Sequence, residues 1–491
     1  VLSVARPGFR LLDGGLMRIF IAILLLLAPL AAASAQSNWY VSSVFGNDAN
    51  DGLSWATAKS NLQSRVQSLG SATTNVVWVG AGDYAMTNGP LAVSGATRII
   101  GTNRETVRLI GAGYPWGVVT LTSSNQWIMS CTIMGGAASN TSGAGILGGS
   151  SFNGSVSNCI IVSNTSWRTG GGGGGLAGVR IWDSIIEHNR SGLAGGGGAS
   201  VIASNCIIRY NAATNGTQGA GGGLAGSTLY ACQVVSNNAS AYGGGLSASF
   251  ASGCRIAFNR SGGGMNGGGA YGGSFLNSTV EWNYAAYGAG SYYSSSTGTT
   301  YRYNASTNSS SYAAFYGGVH DRAFVCSNST ANVNGSEIGQ ASLANSVVHG
   351  DSSLSSAKHV ALYNMVSVKN CTIVGYTDTY HKVHMLGNAC QAFNNVVWNS
   401  GTNAIVNSTN QGWNWTNDPA FLAGGALPYL IASTSPCVDA GNNSYVVGTL
   451  DFHGRARQAN GTVDIGAVEL QADVDVPPSS GRRSFFWSLL F

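Results

Sequence analysis

The chain has 491 residues, of which 9% are charged and 71 are glycine, with 9 prolines and a formal net charge of +4. So thin a charge forms no basic stripe and excludes nucleic acid as the expected partner. That much glycine suits a disordered linker, but aromatic and β-branched residues are plentiful and in register, so the chain folds.

Residues 1–35 read as an upstream extension of the frame plus a secretory signal. Met17-Arg18 supplies one positive charge, an apolar run follows, and Ala33-Ser34-Ala35 closes it before Gln36. The run is too short and ends in residues too small for a membrane anchor, so export is expected.

Residues 36–75 read as an N-terminal cap. Leu62, Val66 and Leu69 share one face of a short amphipathic helix, for which Thr57 is the expected cap. Such a helix can plug the open end of a repeat core. Asp48 and Asp51 are possible calcium ligands, but Asp51-Gly52 is a tight-turn pair and turn chemistry is the preferred reading.

Residues 76–400 are read as a repeat. After the alternating strands at Val76–Tyr84, Thr97–Thr102 and Val107–Gly113, a strand anchored on Cys131 introduces the pattern. A small residue then stands five positions before an asparagine: Cys159, Ser184, Cys206, Cys232, Cys254, Ser278 and Thr299 precede Asn164, Asn189, Asn211, Asn237, Asn259, Asn283 and Asn304. The steps run from 21 to 26 residues, the length of one solenoid coil. Two residues past each anchor stand Ile161, Ile186, Ile208, Val234, Ile256, Val280 and Tyr301, with variable residues between. Period two of this kind is a strand with one buried face. Leu176, Ala199, Leu224, Leu246 and Ala270 mark a second inward column next to the glycine clusters, and the asparagines fall at a bend. No coil buries its apolar face alone, so the expected architecture is an all-β parallel β-helix of about ten to thirteen coils. From Ser306 to Gln340 the register cannot be fixed, and it recovers at Asn345–Gly350, Asn370–Tyr376 and Asn394–Asn399.

Residues 401–470 read as a C-terminal cap, with Ser435–Asn443 and Leu450–Leu470 as its marked segments. Residues 471–491 are a linker and tail whose eight-residue apolar end cannot span a bilayer, which takes about 20 residues. The anchor cysteines interchange with serine and threonine down the column, which favours free buried thiols over disulfides.

Two stretches carry a family resemblance. The tyrosine-valine strand, "GND…NDG" turn, "SWATA" and helix of Asn38–Leu69 resemble the mature N-termini of exported bacterial right-handed β-helix proteins of the pectin-lyase-like class. The terminal "SPCVDAG", the "D-x-x-G-x-x-R" spacing of Asp451, Gly454 and Arg457, and "VDIGAVE" resemble the choice-of-anchor Q segment. The resemblance spans roughly residues 38–470. It implies a secreted or cell-surface protein, a polysaccharide or cell-surface glycan as partner, no transmembrane span in the mature chain apart from a possible C-terminal anchor, and a monomer. Many proteins of this class are polysaccharide lyases or hydrolases, so an enzyme acting on an acidic polysaccharide is the alternative to a glycan-binding, adhesin or structural role.

Elimination beside a uronate needs a base and a cation or arginine clamp, and hydrolysis needs two spaced acids. Four lysines and five glutamates are a sparse supply. The densest titratable set is His320, Asp321, Arg322, His349, Asp351, Lys358, His359, Lys369, Asp378, His381, Lys382 and His384. Arg322, His349, Asp351 and Lys369 are its candidate catalytic members. Glu187 with Arg209, and Glu281 with Arg302, read as cross-strand ion pairs of little energetic weight. Four residues past the anchors stand His188, Tyr210, Phe258, Trp282 and Tyr303, with Tyr284, Tyr287, Tyr292 and Tyr293 nearby. This is either a packing ladder or an aromatic stripe for sugar rings; on the second reading Tyr210, Trp282, Tyr303, Arg209 and Arg302 bind substrate.

Overall fold

A computed structural model describes residues 36–70, 74–113, 115–139, 141–149, 152–167, 172–262, 264–308, 311–330, 336–350, 360–375, 390–398, 410–422 and 427–471. The expected signal segment and the C-terminal tail lie outside these residues.

Each central coil repeats four short strands. In the coil anchored at Ser184 they are Leu176–Ala177, Arg180–Trp182, Ile185–Glu187 and Arg190–Ser191. Each pairs in parallel with its counterpart one coil on: Leu176 with Gly198, Ile181 with Ala203, Ile186 with Ile208, Ser191 with Ala213. The pairings build a 26-stranded sheet from the first two strands of the coils, a 14-stranded sheet from the third and a 9-stranded sheet from the fourth. The chain is thus an all-β, right-handed parallel β-helix of about 12 turns.

The interior columns follow the repeat. Ile161, Ile186, Ile208, Val234, Ile256, Val280 and Tyr301 are all fully buried. The anchors are buried beside them and have a second task beyond filling space. The Ser184 hydroxyl accepts the Cys159 backbone N–H at 3.0 Å, the Cys254 thiol that of Cys232 at 3.3 Å, and the Ser278 hydroxyl that of Cys254 at 3.1 Å. These N–H groups would otherwise be orphaned at a sharp corner, which explains why serine and cysteine interchange there. Cys131, Cys159, Cys206, Cys232 and Cys254 form no disulfide. Burial pushes the Cys159 thiol up to about 12.

One inward position differs from the sequence reading. Gly198, not Ala199, pairs with Leu176 and Leu224 and points inward. A Cβ at Gly198 would approach Val201 to 2.9 Å and Leu224 to 3.1 Å, so only glycine fits between its neighbours.

The described residues between Ser306 and Gln340 keep the same winding. Ala323 occupies the anchor slot, its N–H taken by Ser346 at 2.9 Å, and Asn328 continues the asparagine column. Rings enter the aliphatic core here: Tyr301, Phe315 and His320 are fully buried together, beside Val325 and Ile338.

At the N-terminus, Gln36–Val41 pairs in parallel with Thr74–Val79, and the helix Leu62–Gln67 lays Leu62 and Val66 on the core end. Its cap is Asn61, whose side chain accepts the Ser64 N–H at 2.8 Å, rather than Thr57. Thr57 is held instead in the turn begun by Ser54. The Asp48 carboxylate takes the N–H groups of Ser60 and Asn61, and Asp51 takes that of Leu53, which is turn chemistry.

Residues 427–471 lie against the flank of the last coils. Phe393 stacks on Tyr445 with centroids 3.6 Å apart, and Ala467 donates its N–H to Thr372 at 3.0 Å. The segment is organised around the buried Arg457, Asp451, Asp464 and Glu469. Arg457 donates to the Asp464 and Gly466 carbonyls at 2.7 Å. Asp451, Asp464 and Glu469 accept backbone N–H groups, which fixes the loops between them. Burial pushes the Glu469 carboxyl up to about 7, against the pull of those N–H groups and of Arg457.

Candidate functional site

The turn from the third to the fourth strand sets the geometry of the exposed aromatic residues. One residue there must adopt left-handed backbone, and the asparagine after it points inward. Those residues include His188, Tyr210, Ser236, Phe258, Trp282 and Tyr303, with φ between 53° and 56°. The side chain then projects outward at the corner, directly above or below its counterpart in the next coil.

The result is a ladder of rings. His188 stacks on Tyr210 at 5.2 Å, Phe258 on Trp282 at 6.2 Å and Trp282 on Tyr303 at 4.5 Å, with interplanar angles of 21°, 9° and 19°. Tyr210, Phe258 and Trp282 remain 51%, 51% and 48% exposed. Charged residues border the ladder on the 14-stranded sheet. Arg209 binds Glu187 at 2.7 Å, and Glu281 bridges Arg255 at 2.6 Å and Arg302 at 2.7 Å across three coils. The two expected pairs are present, and Arg255 extends the second. Arg209, Arg255 and Arg302 also lie over Tyr210, Phe258 and Tyr303, at 5.7, 5.4 and 5.8 Å from the ring centroids.

The further tyrosines do not belong to this ladder. Tyr284 lies on the 9-stranded sheet beneath Arg260, whose guanidinium is 5.0 Å from the ring. Tyr292 and Tyr293 join a second cluster on the 26-stranded sheet. There Tyr271, Tyr292 and Tyr316 occupy one outward column and stack at 5.7 and 4.8 Å. Tyr242 and Tyr312 pack at its edges. Gly339 makes room for the Tyr312 ring, which a Cβ would meet at 2.1 Å. Sequence reasoning missed this cluster because Tyr312 and Tyr316 lie beyond Ser306, where the register could not be fixed. The signal was there: each of Tyr271, Tyr292 and Tyr316 directly follows an inward residue.

The candidate catalytic residues are brought to a different place. Arg322 binds Asp321 at 3.3 Å, His349 Nδ1 is 2.6 Å from the Tyr429 hydroxyl, and Lys369 Nζ is 5.8 Å from the Tyr445 ring centroid. His349 and Lys369 thus meet the C-terminal segment across the flank. Asp351 lies outside the described residues, as do Lys358, His359, Asp378, His381, Lys382 and His384. His320 is inside the solenoid. Among the described residues no group of three or more His, Cys, Asp or Glu is arranged to hold a metal ion.

No family model and no curated protein matches the chain. Solved structures do. A pectate lyase, Pel9A, is 14% identical over 89% of this chain and 96% of its own, with a TM-score of 0.26. XylC in complex with xylose is 10% identical over 88% and 99%, with a TM-score of 0.34. The A-module of a mannuronan C-5 epimerase from Azotobacter vinelandii, AlgE6, is 12% identical over 73% and 94%, with a TM-score of 0.32.

Proposed function

We propose that the chain is an exported, surface-exposed β-helix that binds glycan chains through the aromatic ladder at His188, Tyr210, Phe258, Trp282 and Tyr303. The observation that carries this reading is the combination of stacking and partial exposure at these rings. The left-handed backbone belongs to the coil corner whatever the side chain, as Ser163, Ser236 and Ser327 show, so it is the large apolar surface left in solvent that asks for a partner. Repeating the combination down one column favours a surface shaped for an external partner. Aromatic surface suits the C–H faces of sugars; Arg209 is paired with Glu187 while Arg255 and Arg302 share Glu281, so every arginine of the strip already has a carboxylate partner.

The alternative of a polysaccharide lyase draws less support. Arg322, His349 and Lys369 would have to act together, yet the contacts of His349 and Lys369 are with Tyr429 and Tyr445. No described helix is long and apolar enough to cross a membrane.

Affinity electrophoresis of residues 36–471 in gels containing single polysaccharides tests the reading. Trp282→Ala combined with Tyr303→Ala is expected to weaken retardation at least tenfold while leaving the circular dichroism spectrum intact. Equal retardation of wild type and double variant in every gel that retards the wild type would sink it.

A further inference from the structure

The aromatic ladder has a gap, and the gap has the dimensions of a binding slot. Tyr210, Ser236 and Phe258 hold the same corner position in three successive coils, because Arg209 pairs with Val235 and Val235 with Ala257. All three have left-handed backbone, with φ of 55°, 56° and 56°. Ser236 is thus the one missing ring between two exposed ones.

Coils repeat about every 4.8 Å, so the planes of Tyr210 and Phe258 stand about 9.6 Å apart across the Ser236 coil. Each ring lies roughly flat across the solenoid axis, since each stacks on a neighbour on its far side: Tyr210 on His188, Phe258 on Trp282. The two faces turned toward each other therefore open onto the slot. The two arginines beside these rings are held by glutamates of coils outside the slot. Arg209 is tied to Glu187, one coil before Tyr210, and Arg255 to Glu281, one coil beyond Phe258. The slot is left with two aromatic walls and a floor of Ser236 and the partly exposed Val235.

We propose that this slot is a subsite for one neutral pyranose unit of a glycan chain, sandwiched between Tyr210 and Phe258. Carbon contacts form at about 3.5–4.0 Å, so two of them leave about 2 Å for the ligand's own thickness. A sugar chair, with puckered carbons and substituents standing out of the ring plane, comes closer to filling that space than a flat aromatic ring, whose carbons lie in one plane. Arg209 and Arg255 beside the slot are already paired with glutamates, which favours a neutral unit over a uronate. The Ser236 hydroxyl at the base provides one hydrogen-bonding group for a ring hydroxyl.

The proposal rests on the glycan-binding reading, and the experiment separates the two. Isothermal titration calorimetry of residues 36–471 would use hexasaccharides of β-1,4-glucan, β-1,4-mannan and α-1,6-glucan, with hexagalacturonate as the acidic comparison. Ser236→Tyr completes the ladder with a residue that the same backbone already carries at Tyr210, so the fold is kept. It adds aromatic surface yet fills the slot. Affinity for the best neutral hexasaccharide is expected to fall at least tenfold in Ser236→Tyr, to the level of Tyr210→Ala, and to stay within threefold in Ser236→Ala. Binding unchanged or strengthened in Ser236→Tyr, but lost in the Trp282→Ala, Tyr303→Ala double variant, overturns the slot and leaves glycan binding standing. Preference for hexagalacturonate that Ser236→Tyr abolishes overturns the neutral assignment. No binding by wild type overturns both.

Discussion

His320 shows how far a residue's environment can remove it from its expected role. Its Nε2 lies 3.1 Å from the Gly317 carbonyl, so that nitrogen carries the hydrogen; Nδ1, 2.8 Å from the Ser296 hydroxyl, then accepts. The ring stacks on Phe315 at 3.7 Å and meets the edge of Tyr301. Burial pushes its pKa down to about 4, from an ordinary value of about 6.5. The unfolded chain therefore takes up a proton below about pH 6.5 that the folded chain refuses until about pH 4. Stability falls across that window and levels off beneath it, by up to about 3 kcal/mol. His320→Gln can keep both hydrogen bonds without titrating. Urea midpoints at pH 7, 5.5 and 4 are expected to drop more steeply for wild type than for this variant; parallel profiles would refute the assignment.

At the scale of the element, the asparagine column is the strongest internal tie. From Asn189 to Asn328 each Oδ1 accepts both the backbone N–H and the Nδ2–H of the preceding asparagine, mostly at 3.0 Å. Each Nδ2 also reaches a carbonyl of the coil before, as Asn237 does to Ile208 at 2.9 Å. All of these groups are buried, so losing one side chain strands several at about 1–3 kcal/mol each. Asn237→Ala is expected to destabilise by about 3 kcal/mol or more, read as a shift in the denaturation midpoint. Asn414→Ala, at the part-buried far end of the separate Asn395–Asn414 pair, should cost less than half as much. The column was legible because asparagine must recur at one offset for the ladder to form. Its partners were not: an amide that bonds its own turn and one that bonds the next coil look the same in sequence.

For the whole molecule, the open end matters most. A solenoid ends on a strand whose N–H and C=O groups invite pairing with another chain. Here Gln36–Val41 covers Thr74–Val79, and Leu62 and Val66 close the core behind it. Residues 70–471 are therefore expected to aggregate where residues 36–471 do not, as read by gel filtration at equal concentration. Monodisperse elution of the shorter chain would show that the cap is dispensable.

The winding, the inward columns and the terminal helix were determined by the sequence itself, because each depends on a local period that repeats. Cys159 to Thr299 and Ile161 to Tyr301 could be aligned by counting, and counting fixes which side of a strand a residue takes. What lay across a coil boundary or across a turn needed the tertiary structure. Asn61, not Thr57, caps the helix, Thr57 being held in the turn at Ser54, and Gly198, not Ala199, takes the register opposite Leu176 and Leu224. The separation of Tyr284, Tyr292 and Tyr303 onto three faces follows from corners a few residues apart, where one left-handed residue redirects the chain. The contacts of His349 and Lys369 with Tyr429 and Tyr445 span some 80 residues, a distance over which no periodicity speaks.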